Sequence, residues 1–315
     1  MKVFVAGATG ALGMQLIPQL VAQGHQVVGM TRTAAKQDAL RAMGARPVVA
    51  DALDPDAVAR AVAEAEPEVI VHQLTALSGV MDMRHLDRFF ATTNRLRTEG
   101  TDHLLAAGRA VGARRFVAQS YAGWPFARTG GPVKVESDPL DPHPPRVLRA
   151  TLEAIRHLEQ AVTGIQWGTG LVLRYGAFYG PGTGISLDPH ASMAKLIHAR
   201  QFPLVGDGGG VWSFVHIEDA ASATMAAVER GSAGIYHIVD DEPAPVREWL
   251  PALACALGAR PPWRVPRWLG RLAAGEAAAV MMTEVRGASN AKARRELGWE
   301  PRYPSWRLGF AEGLA

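Results

Sequence analysis

Val3-Phe4-Val5-Ala6-Gly7-Ala8-Thr9-Gly10-Ala11-Leu12-Gly13 is the stretch on which the reading of this chain turns. Four apolar residues running into a glycine predict a buried strand, and residues 11–23, stopped by Gly24, predict a helix. Each glycine at the join has its own reason. Gly7 allows a tight turn, Gly10 lets the backbone approach a pyrophosphate, and Gly13 lets the helix pack close on the strand. The first turn of that helix offers unpaired N–H groups and the positive end of its dipole, an arrangement suited to phosphate. Gly7, Thr9, Gly10, Ala11, Leu12 and Gly13 are therefore candidate contacts to the phosphates of a dinucleotide.

Outward from this loop the pattern repeats. Residues 26–30 predict a second strand, 34–43 a helix ended by Gly44, then 47–50, 55–64 and 68–72 a strand, a helix and a strand. Near-continuous apolar strands alternating with helices imply a parallel sheet covered on both faces, a doubly wound Rossmann-type α/β fold. The second strand ends Gly29-Met30-Thr31-Arg32, with no acid to hold a ribose 2′-hydroxyl. The Arg32 guanidinium beside a ribose suits a 2′-phosphate, so NADP is expected over NAD, with Thr31 a further candidate contact to the cofactor. Residues 83–110 predict helix, 114–118 a strand, 123–145 a long Gly/Pro/Asp-rich loop, 151–162 a helix and 169–173 a strand. The expected organisation is a nucleotide-binding domain over residues 1–175. A smaller, mainly substrate-binding region, interleaved with the sheet, covers 176–315.

Composition narrows the class. At 48% hydrophobic and 20% charged residues the 315-residue chain builds a sizeable core, and a net charge of +3 spread along it argues against nucleic acid or a membrane surface as partner. The one cysteine, Cys255, excludes an internal disulfide and a cysteine-based zinc site, and suits a reducing cytoplasm. No run approaches the roughly 20 apolar residues of a membrane span, the opening lacks the apolar core of a secretion signal, and the histidines show no metal spacing. A cytoplasmic protein without a metal is expected.

Further motifs stand in a recognisable order: Asp51-Ala52, Val71-His72-Gln73-Leu74-Thr75, Leu173-Arg174-Tyr175-Gly176, Tyr179-Gly180-Pro181-Gly182, Phe214-Val215-His216-Ile217-Glu218-Asp219, Ser289-Asn290-Ala291-Lys292 and Leu297-Gly298-Trp299. With the glycine loop they make the chain resemble, nearly end to end, the extended short-chain dehydrogenase/reductase family, the group called NAD-dependent epimerase/dehydratase. The resemblance implies that Asp51 and Ala52 hold the adenine and that Leu74, Thr75 and Tyr175 also touch the cofactor. It implies a homodimer built on two helices, about 85–110 and 150–162.

The departure lies at the catalytic centre. The family uses Tyr-x-x-x-Lys on the helix after the fifth strand, the lysine lowering the tyrosine pKa and holding the nicotinamide ribose. Four residues beyond Tyr121, Tyr175, Tyr179, Tyr236 and Tyr303 stand Pro125, Tyr179, Thr183, Asp240 and Arg307; none is lysine. With Glu159 aligned on the family's glutamate, the pair falls on Thr151 and Ile155. Ser120 and Tyr121 are the candidate catalytic residues: Tyr121 stands where the family has its catalytic hydroxyl, and Ser120 before it is a candidate contact to the cofactor or the substrate. Tyr121 would orient a carbonyl and donate its proton if a cation or the ribose lowers its pKa; the alternative is that it only shapes the pocket. Arg149 and Arg156 read as surface helix residues, and His216 with Asp219 as the start of a helix.

Where nucleotide-sugar enzymes of the family carry a diphosphate-binding arginine, Trp212 stands here, and Trp249, Trp263, Trp268, Met281 and Met282 crowd the same region. That balance favours an apolar or aromatic small molecule, although Arg286 is a possible anion anchor. The expected activity is NADP-dependent reduction of a carbonyl or conjugated double bond by hydride transfer. The alternatives are an epimerase, dehydratase or isomerase, and an NADP-sensing protein without turnover.

Overall fold

In the computed structural model, which describes residues 1–77 and 81–315, β1 (Lys2–Ala6) turns through the glycine loop into α1 (Ala11–Ala22). There follow β2 (Gln26–Thr31), α2 (Gln37–Ala42), β3 (Arg46–Val49), α3 (Pro55–Ala65) and β4 (Val69–His72). Asp54 starts α3 by accepting the Ala57 N–H at 3.0 Å, and Pro55 occupies the first turn, where its missing N–H costs nothing. The next connection holds α4 (Leu86–Phe89), α5 (Ala91–Arg95), a π turn (Leu96–Gly100) and α6 (Thr101–Ala110) before β5 (Arg115–Tyr121). The single helix expected over 83–110 is thus broken. Thr98 contributes to the break by donating its hydroxyl to the carbonyls of Asn94 and Arg95, which competes with the regular ladder.

After the short β6 (Val133–Lys134) come α7 (Arg149–Thr163) and β7 (Thr169–Tyr175). Then follow β8 (Ala177–Tyr179), α8 (Ser192–His198), β9 (Leu204–Val205), β10 (Val211–Trp212), β11 (Phe214–His216), α9 (Ile217–Glu229) and β12 (Gly234–Ile238). The last elements are β13 (Ala244–Pro245), α10 (Val246–Ala256), β14 (Arg264–Val265), α11 (Arg267–Thr283), β15 (Gly287–Ala288), α12 (Ala291–Leu297) and α13 (Trp306–Glu312). Seven parallel strands form the central sheet in the order β12-β7-β5-β4-β1-β2-β3. The order reverses beside β1, so the carboxyl ends of β1 and β4 border the crevice where doubly wound sheets take ligands.

Both faces of the sheet are covered. Leu16, Ile17 and Leu20 of α1 pack with α9 and α12 against Val3, Val5 and Val71; Val58, Val62, Leu104 and Leu158 of α3, α6 and α7 cover Phe4, Ile70 and Phe116 on the other side. A separate core of Tyr179, Phe214, Trp249, Trp306 and Phe310 holds the C-terminal region, each large side chain contributing about 1.5–3 kcal/mol by burial. β5 runs three residues past the expected 118, because Gln119, Ser120 and Tyr121 pair with Leu173, Arg174 and Tyr175 of β7. The region beyond residue 175 returns β12 to the sheet's edge beside β7 and supplies α9 and α12 to its face.

Candidate active site

The glycine loop is shaped by close approaches. Gly7 has φ +94°, and a Cβ there would lie 2.6 Å from the Gln73 carbonyl oxygen. A Cβ on Gly13 would lie 2.5 Å from the Ala8 carbonyl oxygen, so only glycine lets α1 start so close to β1. Gly10 has φ −80° and caps α1 without a side-chain hydrogen bond, which leaves the first-turn amides without a side-chain acceptor. Ala8, Leu12 and Gly13 are buried, whereas Thr9 and Ala11 are half-buried at the rim. A glycine turn held this close to its neighbours, opening a helix whose first-turn amides have no side-chain acceptor, fits the two phosphates of a dinucleotide.

The remaining cofactor candidates line the same carboxyl edge. Thr31 is buried and accepts the Thr33 N–H at 3.2 Å, and Arg32 stands exposed at the end of β2. Asp51 is exposed and accepts the Leu53 N–H; Ala52 is buried, its carbonyl accepting from His103 Nδ1 at 2.9 Å. Leu74 donates its N–H to His72 Nδ1, and Leu74 and Thr75 are half-buried. Tyr175 is placed differently: it lies in the core, its hydroxyl shared with Thr224 at 2.7 Å and receiving Gln73 Nε2 at 3.3 Å, and burial drives its pKa upward. Its phenol is occupied by the protein itself.

Ser120 and Tyr121 diverge, as neighbours on a strand must. Ser120 is buried and donates its hydroxyl to Glu159 Oε1 at 2.7 Å, while Glu159 is gripped by Arg174 through Nε at 2.7 Å and Nη2 at 2.6 Å. The serine hydroxyl is turned into this ion pair under α7. Tyr121 faces a small cleft with Trp124, Val211, Trp212, Met281 and Val285. Its hydroxyl has no hydrogen-bond partner among the described residues, and burial pushes its pKa up to about 12. The lowering that an activated phenol requires is absent from the protein's own groups, so near neutral pH this side chain is a protonated donor.

The helix after β5, α7, contains neither tyrosine nor lysine. Thr151 and Ile155 are both buried, and Thr151 accepts from Asn94 Nδ2 at 3.2 Å. Arg149 is exposed, and Arg156 is tied to Glu153 and the Asp141 carbonyl at the surface. His216 caps α9 by accepting the Glu218 N–H and donates through Nε2 to the Gly313 carbonyl; Asp219 accepts the backbone N–H groups of Arg302 and Tyr303. Trp212 donates its indole N–H to the Met281 carbonyl and packs on Trp249 at 4.9 Å, walling the cleft with apolar surface. Trp263 and Trp268 face solvent, away from any pocket role, and Trp249 is core. Arg286 donates Nε and Nη2 to the Arg128 carbonyl.

Asn94, Arg97 and Trp124 are the residues of this edge that sequence reasoning missed. Arg97 carries no usable signal, because a regular helix over 83–110 would not show that the π turn sets it against α7.

The whole edge, from the glycine loop to the Tyr121 cleft, has the layout of a nucleotide-dependent enzyme. The NAD dependent epimerase/dehydratase family model matches residues 3–239. The chain belongs to this family. Among its relatives, a 3-diazoavenalumate denitrifying reductase of a Streptomyces species is 48% identical over 98% of this chain and 99% of that protein. A 2-alkyl-3-oxoalkanoate reductase of Stenotrophomonas maltophilia is 30% identical over 82% of this chain and 76% of its own. The UDP-glucose 4-epimerase of Thermus thermophilus, solved with NAD, superposes with a TM-score of 0.74 at 24% identity, covering 100% of this chain and 98% of that one. The epimerase/dehydratase family is enzymatic and NAD(P)-dependent, and this member is of the extended short-chain dehydrogenase/reductase type. No helix among the described residues is long and apolar enough to cross a membrane.

Proposed function

We propose that this chain is an NADPH-dependent reductase of an aromatic small molecule, and that its reaction is replacement of a diazo group by hydrogen. The observation that carries this reading is the makeup of the site: α7 supplies neither tyrosine nor lysine, so the family's lysine-activated phenol has no counterpart on that helix, and burial pushes the pKa of Tyr121 at the cleft up. Such a site is poorly equipped for activated proton transfer and suits a reaction that needs none. The end-to-end similarity to a denitrifying reductase supports the same choice.

The first-turn amides of α1 would hold the phosphates and Arg32 the 2′-phosphate, which would favour NADP over NAD. A nicotinamide cofactor held there would supply a hydride; on an arenediazonium the balance would close without a proton, as a C–H bond forms, the C–N bond breaks and N2 leaves with the C–N electron pair. Trp124, Trp212 and Met281 orient the flat ring and exclude water from the reacting carbon. Ser120, bonded to Glu159, acts as a support of the β5 edge rather than as a proton donor. A homodimer through α6 and α7 is part of this reading, and sedimentation tests it.

The decisive assay follows NADPH oxidation with 3-diazoavenalumate. With cofactor deuterated at the transferring position, the arene product should carry one deuterium; in D2O with ordinary cofactor it should carry none at that carbon. Incorporation from D2O would overturn direct hydride transfer to that carbon, and turnover of ketones in place of the diazo compound would overturn denitrification. Ketone turnover would favour the second reading, carbonyl reduction with Tyr121 as proton donor, to which the oxoalkanoate reductase lends support.

A further inference from the structure

The π turn after α5 holds a buried guanidinium whose hydrogen bonding is incomplete among the described residues. Arg97 is 7% exposed, and its Nη1 is buried with no hydrogen-bond partner among the described residues. Glu159, the acid whose charge it senses, is already committed to Arg174 and Ser120. Burial accordingly lowers the Arg97 pKa, to about 10. Asn94, three residues earlier, gives its amide to Thr151 and leaves Oδ1 buried and, among the described residues, unpartnered. An unpaired buried guanidinium is expensive, and proteins keep one where a ligand completes it.

The fold says which ligand part reaches this place. Arg32 and Asp51 lie at the ends of β2 and β3, and the phosphate cradle lies at β1. A dinucleotide with its adenosine over β2 and β3 and its phosphates at α1 must run its other half over β4 toward β5. Gly7 abuts Gln73, the residue after β4, which leads to the edge where the π turn packs against α7. We propose that Arg97 is a cofactor-positioning residue, its guanidinium donating to the hydroxyls of the nicotinamide-side ribose while Asn94 Oδ1 accepts from the same sugar. This rests on the reading of the chain as an NAD(P)-binding protein. Arg97 then supplies, from the preceding connection, a cation in place of the lysine that α7 lacks.

The test compares two probes by fluorescence and competition titration: NADPH, and adenosine 2′,5′-bisphosphate, which lacks the nicotinamide half. If NADH is the preferred cofactor, NADH and ADP replace them. In R97M, NADPH affinity should fall about tenfold or more while the bisphosphate changes less than about twofold, a charge-assisted hydrogen bond being lost from one half only. R97K, which keeps the charge, should be intermediate for NADPH and unchanged for the bisphosphate, and it carries the test if R97M does not fold. Unchanged NADPH binding, or an equal loss of both probes, overturns the proposal. A wild-type chain that binds neither NADPH nor NADH instead overturns the cofactor reading on which it stands.

Discussion

In the proposed reading, Arg32 would decide cofactor choice by a contact that one side chain makes alone. It stands exposed at the end of β2, without an acid to compete for a ribose hydroxyl. Arg32→Asp replaces attraction for a 2′-phosphate by repulsion; the expected result is a loss of NADPH affinity of roughly 10- to 100-fold, the range of a charge-assisted hydrogen bond. NADH affinity should change by less than about threefold. Titration of both cofactors at low salt, where an exposed charge is least screened, checks this, and equal losses would remove Arg32 from the site. Ser120 shows the opposite situation. Its position in the chain nominates it as a hydroxyl for the substrate, yet its proton is given to Glu159, 39 residues away, beside the Arg174 fork.

At the scale of the element, the β1–α1 turn separates two roles that the same residue type plays. Gly13→Ala puts a carbon 2.5 Å from the Ala8 carbonyl oxygen and must push α1 off β1. The expected cost is about 1–3 kcal/mol of stability, read by urea unfolding. Gly10→Ala has ordinary space, its nearest neighbour being 3.4 Å away, and φ is −80°. Stability should stay within about 0.5 kcal/mol, while cofactor affinity falls because the added methyl occupies the ligand's side of the turn. Loss of stability in both variants would mean that the loop serves packing alone. The turn was legible in the chain because strand, glycine spacing and helix are contiguous there. The connection from β4 to β5 was not, since its breaks at Phe90 and Leu96–Gly100 leave no mark in hydrophobic spacing.

Across the whole molecule, burial of histidines sets an acid limit. Burial pushes His72 down to about 4 and His237 down to about 3, against about 6.5 in an unfolded chain. The unfolded state then binds more protons between those values. The stabilisation is complete above about pH 6.5, shrinks as pH falls through that value, and is exhausted near the folded pKa values. Asp219 and Asp240, raised by burial, act in the opposite direction, so the wild-type profile is a balance. A difference isolates one group: at pH 5, His72→Gln should lower the proton uptake on unfolding by close to one. The slope of unfolding free energy against pH in the two proteins measures it, and an identical slope would contradict a neutral buried His72.

Local order alone dictated the alternation of strands and helices, the phosphate loop and the absent acid at residue 32, because each is written in residues adjacent along the chain. Packing decided the rest. The seventh strand joins β7 from the far side of the C-terminal region, Ser120 is turned into the Glu159–Arg174 pair, the Tyr175 hydroxyl is used inside the core, and Arg97 is buried against α7 with its Nη1 unpartnered among the described residues. Those outcomes depend on groups distant in sequence meeting in a medium that excludes water. There, the energy of a charge or a hydroxyl is set by its neighbours in space, which spacing along the chain does not encode.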